Sequence, residues 1–271
     1  MASSGAVRGA KRCVGLAFAA AGALFAASWH GRTRPIPPEA IDPVLRRPPV
    51  LAATERASFS FDYRGQACRV RPVAEYELAG LVVSRNDVES FADIYHDASS
   101  VDTVDLCLLW GSSLETTDFH RVDFSSGPFT CYFRYPSGIR FDPAELSNNH
   151  LITADGAVRD RLGALRVGDQ VRLGGLLVDY QMDHWGAFWR ETSTERGDDE
   201  CEVIFVERLE VLRQGAPLWN RLHGASLALL AALPVAYLGL LWIEAGPPVS
   251  RRRPGGAAIR RPPAAPGPRG R

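Results

Sequence analysis

The chain has 271 residues, of which 46% are hydrophobic and 23% charged, and its 31 basic and 31 acidic side chains give a formal net charge of zero. That composition excludes a collagen-like chain, a coiled-coil rod and a wholly disordered polymer. Thirty of the basic residues are arginine, and two apolar runs and two proline-rich segments leave about 160 residues for one folded domain.

Residues 1–12 carry Arg8, Lys11 and Arg12 and no acid. The apolar run 13–29 that follows reads either as a retained signal anchor or as a signal peptide, with Ala26 and Ser28 as a small-x-small cleavage site. Residues 30–51 form a linker whose stretch RPIPPEAIDPVLRRPP holds six prolines, which favour an extended, semi-rigid stalk. The body spans 52–213, and a short juxtamembrane linker, 214–221, leads to LHGASLALLAALPVAYLGLLWI at 222–243. That segment lacks Asp, Glu, Lys and Arg, is long enough to cross a bilayer as a helix, and is bracketed by Trp219 and Trp242. Pro234 is expected to kink it. The tail 244–271 is rich in Arg, Pro, Gly and Ala and has little to bury, so disorder is expected.

Arginine placement sets an expected orientation. The first 12 residues and the last 25 are basic, with no acid in either, so both ends should stay cytoplasmic. Residues 30–221 hold 21 arginines and 30 acidic residues, so the exported part is acidic.

Within the body, segments 76–84, 104–110, 129–135, 171–180 and 201–212 combine β-branched or aromatic residues with bounding turn signals, which predicts at least five strands. Asn86 with Glu89 predicts a helix over about 87–96, and Asp142-Pro143 with Glu145 predicts a second. Asp155 predicts a third, burying Val158, Leu162 and Leu165. The predicted class is mainly β with a few short helices (α+β).

The order of these elements, with a Gly-Asp turn running into VRLGGLLVDY, resembles an OB-type five-stranded barrel over about 70–213, with Gly174 and Gly175 as bend candidates. The resemblance implies a small OB-like β-barrel, which the two apolar runs would flank as transmembrane helices. DIYHD, LSNNHLI and CEVIFVE are also similar to segments of uncharacterised membrane-anchored bacterial proteins, which brings no activity with it.

Cys68, Cys107, Cys131 and Cys201 are an even set in an exported body, enough for two disulfides in any of three pairings. No Cys-x-x-Cys or Cys-x-x-His spacing supports zinc, and no cofactor is expected. His150 could meet Ser125, Ser126 or Cys131 in a Ser-His or Cys-His hydrolase, although Asn148 and Asn149 before it read more simply as a helix C-cap. His96, Asp97, Asp102 and Asp105 could gather around Ca²⁺ or Mg²⁺ but lack EF-hand spacing, so a solvated acidic loop is the plainer reading. His120 and His184 read as surface or structural. The polar loop RETSTERGDDE at 190–200 offers Arg190, Thr192, Ser193 and Arg196 as a binding edge, or simply a solvated hairpin. Nucleic acid is a poor partner for an acidic body.

The expectation is therefore a membrane-tethered extracytoplasmic binding or interaction module of the bacterial cell envelope. It would be integral to the inner membrane, with an envelope component or a membrane protein as partner. The alternative is a tethered hydrolase using Ser126 or Cys131 with His150.

Overall fold

A computed structural model describes residues 4–32, 34–86, 88, 100–127, 130–196 and 200–245. Among them are three α-helices, α1 (Ser4–Arg32), α2 (Gly156–Ala164) and α3 (Pro217–Ala245). Nine strands accompany them: β1 (Val50–Ala52), β2 (Phe59–Tyr63), β3 (Gln66–Asn86), β4 (Val104–Leu109), β5 (Asp123–Gly127), β6 (Thr130–Arg134), β7 (Leu146–Ile152), β8 (Gln170–Met182) and β9 (Glu202–Arg213). The chain divides into two compact units, residues 1–24 with 225–271, and residues 25–224.

The first unit is built from the apolar lengths of α1 and α3. Both helices are long and apolar enough to cross a membrane, and only 11% and 6% of their most apolar windows are buried by protein. Leu16, Val235, Leu238 and Trp242 are exposed, whereas a core helix of a soluble protein hides such a face. The helices extend beyond the runs predicted at 13–29 and 222–243. Lys11 pairs with Glu244 and sits 6.0 Å from the Tyr237 ring, so the two segments run antiparallel.

The second unit is organised by β3. Its 21 residues pair antiparallel with β4 at one end and with β8 along most of its length, while β1 and β2 add to it as well. β4 pairs with β7, β7 runs parallel to β9, and β9 pairs with β8, so the pairing path β3, β4, β7, β9, β8 returns to β3. Bulges at Pro72/Ala74 and Val82/Ser84 let the long strand change partners, the first where proline has no N–H to offer a ladder. Alternate residues point to one core: Leu78 and Val82, Leu106 and Leu108, Leu151, Leu173 and Leu177, Ile204 and Val206. Helix α2 closes it with Val158 and Leu162, and the Asp155 carboxylate accepts the N–H groups of Ala157 and Val158, as its capping position predicts.

With a seven-stranded sheet and two long apolar helices, the fold is mixed α/β rather than mainly β. Asp142 starts only a single 3-10 turn, Pro143–Glu145, before the chain becomes extended, so LSNNHLI is a strand and Asn148 and Asn149 do not cap a helix. The proline-rich segment does not stand free either. Ile41 and Leu45 are buried beside Leu81, Leu109 and Phe119, and Gln170 clasps the chain by accepting from Asp42 N and donating to Ala40 O. The helix predicted over 87–96 falls, but for Val88, outside the described residues, and Asn86 ends β3.

β5 and β6 form a separate hairpin, tied to the sheet by a Cys107–Cys131 disulfide. A bridge closing a loop of 24 residues contributes about 3 kcal/mol, mainly by restricting the unfolded chain. The two disulfides that four body cysteines allow reduce to this one, since Cys68 is a buried thiol in a second core cluster.

Candidate functional site

The site arises from strand alternation. On β4, Leu106 and Leu108 enter the core while Asp105 and Cys107 take the other face; on β7, Leu151 enters the core while Asn148 and His150 take the other face. The β4–β7 register sets Asp105 opposite His150 and Cys107 opposite Asn148. On the far side of β7, His150 is level with Val203 and Asn149 with Glu202, which brings Cys201 alongside Asn148. Three neighbouring strands thus line up Cys107, Asn148 and Cys201 in one row and Asp105 with His150 in the next.

His150 Nδ1 lies 2.7 Å from Asp105 Oδ1, and both side chains are almost wholly buried. The other side of the ring hydrogen-bonds the Cys201 side chain, and Nε2 is 3.5 Å from Asn148 Nδ2. Burial disfavours the imidazolium, but the hydrogen bonds to Asp105 and Cys201, with the negative charges of Asp105 and Asp102, outweigh it and raise the His150 pKa to about 9. Asn148 Nδ2 also donates to Cys201 Sγ at 3.3 Å, while its Oδ1 lies 3.5 Å from Cys131 Sγ. One carboxamide therefore touches both the sulfur of a thiol and a sulfur of the disulfide. Both sulfurs open onto a cleft of about 470 Å³, lined also by Phe133, Asp142, Arg196 and Glu200.

The structure joins some of the predicted residues and separates others. Ser126 donates to Ser84 at 2.8 Å and lies 3.3 Å from Cys107 Sγ, and Cys131 is spent in the disulfide, so the thiol that meets His150 is Cys201. In the polar loop, Arg190 exchanges backbone hydrogen bonds with Tyr180, and Thr192 accepts from Val203 N and receives Asp179 as its own acceptor. Ser193 N donates to Cys201 O, which fixes the backbone of the thiol residue, and Arg196 anchors on Pro49 O while facing the cleft. The loop therefore frames the cleft, with only Arg196 and Glu200 lining it among its described residues.

His96 and Asp97 lie outside the described residues. Asp102 accepts the Tyr180 hydroxyl at 3.2 Å and Asp105 holds His150, so neither carboxylate faces a shared cation; no cluster of three or more metal-ligating side chains occurs among the described residues. His120 bonds Ile36 O, and His184 lies against the Trp185 ring. The Cys68 thiol is pushed up to about 12 by burial and by the nearby Asp102 and Asp183, which makes it inert.

Sequence reasoning named His150 with Ser125, Ser126 or Cys131 as candidates and did not place Cys201 beside it. The available signal was period two: once LSNNHLI is read as a strand, Asn148 and His150 share a face. Compared with known proteins, the chain matches no family model, no curated protein and no solved structure.

Proposed function

We propose that the chain is a membrane-tethered extracytoplasmic binding module of the bacterial cell envelope, whose OB-like body presents the Cys201 cleft to a partner. The returning path of strand pairings, the long β3 shared by β4 and β8, the parallel β7–β9 pair and a helix between β7 and β8 support the OB-type barrel. Two apolar helices, basic ends and a disulfide in the body support export of the part between them. The cleft carries the binding reading: Asp142, Glu200 and Glu202 outnumber Arg196 on its walls, so it suits a cationic or donor-rich segment of an envelope protein.

The test is a photo-reactive residue placed at Ala144 in living cells. A discrete adduct, lost when Asp142 and Glu200 are both changed to Lys, is the expected result. No adduct from Ala144 in a folded, membrane-inserted chain overturns the binding reading.

A second reading, a tethered enzyme, is favoured by one observation. A thiol, an imidazole and a carboxylate stand in hydrogen-bonded sequence, Cys201, His150 and Asp105, with the thiol at the cleft wall.

A further inference from the structure

We propose that Cys201 exchanges with the Cys107–Cys131 disulfide, moving the link to Cys131–Cys201 and leaving Cys107 as the thiol, so that the cleft is a thiol–disulfide centre with two states. The chemistry builds on the cleft assigned above and on its extracytoplasmic placement.

Cys107 on β4 and Cys201 beside β9 flank Asn148 on β7, one strand spacing of about 4.8 Å to either side. Cys131 reaches down from the hairpin, and its sulfur rests on the Asn148 carboxamide between the two. The exchange moves the Cys131 sulfur across the Asn148 carboxamide, which it and the Cys201 sulfur both touch. Attack on a disulfide requires a deprotonated sulfur, and the charged His150, held by Asp105 behind it, is hydrogen-bonded to the Cys201 side chain, where it stabilises negative charge on the attacking sulfur.

The step balances without an outside oxidant. The Cys201 sulfur gives its proton to solvent at the cleft beside the charged His150 and forms a bond to Cys131 Sγ, and the Cys131–Cys107 bond breaks with its electron pair going to Cys107 Sγ, which takes up a proton in turn. Cys107 is fully buried, whereas Cys131 and Cys201 are half-exposed at the cleft. Exchange therefore carries the disulfide from a position that includes a hidden sulfur to one where both sulfurs meet the cleft, and where a thiol of a bound partner can reach them. Cys201 is the nucleophile, His150 the positive charge beside its sulfur, and Asp105 a positioning residue.

The full-length protein in detergent is quenched with N-ethylmaleimide and its peptides are mapped. Wild type should yield two forms, one linked Cys107–Cys131 with Cys201 alkylated, the other linked Cys131–Cys201 with Cys107 alkylated. In Cys107→Ser, oxidised glutathione should drive a Cys131–Cys201 link with release of two reduced glutathiones. Adding His150→Gln should slow that closure at least about tenfold near neutral pH and let its rate climb with pH as an ordinary thiol's would. A purely structural histidine would leave the pH profile unchanged, and circular dichroism of the variant separates this from loss of fold. A single Cys107–Cys131 form in wild type, together with Cys131 and Cys201 staying separately alkylatable in Cys107→Ser, overturns the proposal. That outcome leaves the tethered binding reading standing, because the cross-link from Ala144 tests it independently.

Discussion

Asp105→Ala should destabilise the body by about 3 to 5 kcal/mol, because it leaves His150 sealed in the sheet face without the carboxylate that holds its charge. The wild-type chain carries a pH signature of the same pair. The folded His150 titrates at about 9, above its ordinary 6.5, so the stability it contributes is fully present below pH 6.5 and is lost as pH rises through about 9. The shift corresponds to a loss on the order of 3 kcal/mol across that window. Urea unfolding of the detergent-solubilised chain, followed by tryptophan fluorescence at pH 6 and pH 9.5, checks both effects. Asp105→Asn should flatten the difference between the two pH values, and an unchanged slope would contradict the assigned partner.

Gly175→Val should cost roughly 3 kcal/mol or more, through displacement of backbone rather than loss of a contact. Gly175 stands at the register shift between β8 and β9, and a Cβ there would collide with the Phe205 carbonyl oxygen and crowd Glu207 N. Its neighbour supplies the control. The nearest atoms to a Cβ on Gly174 belong to the Arg208 guanidinium, 3.0 to 3.5 Å away on a flexible side chain, so Gly174→Ala should change stability by less than about 1 kcal/mol. Thermal unfolding of the two variants side by side makes the comparison, and equal losses would contradict the reading of Gly175 as the close-approach residue.

Much of this sheet is legible in the chain. VRLGGLLVDY and CEVIFVERLEVL carry the β-branched, alternating pattern of β8 and β9, and Asp155 announces α2 through its capping position. The Gly-Asp turn is visible too: Gly168 adopts a φ of +93°, and the Asp169 carboxylate accepts from Arg166 N and Gly215 N. What hides is the strand that matters most to the site. LSNNHLI reads as a cap because Asn, Asn and His favour turns when exposed, yet tertiary partners satisfy them in a fully buried strand. Asn149 donates to Leu106 O and to Ser147 Oγ, and His150 is held by Asp105. The proline-rich stretch misleads for a related reason. Asp42-Pro43 is as good a start for a 3-10 turn as for a stalk, and only the packing of Leu45 decides between them. Cys201 is a long-range partner of His150, set by the parallel β7–β9 register, and no local pattern encodes that pairing.

The binding and exchange readings both need the body to face away from the cytoplasm, since export permits the disulfide and an envelope partner alike. A site-specific protease sequence inserted at the exposed turn after Gly138, and in a second chain appended after Arg271, tests this directly in intact spheroplasts. Protease added outside should cut the Gly138 insertion at once and reach the Arg271 extension only after lysis; a Gly138 insertion protected until lysis would contradict the account.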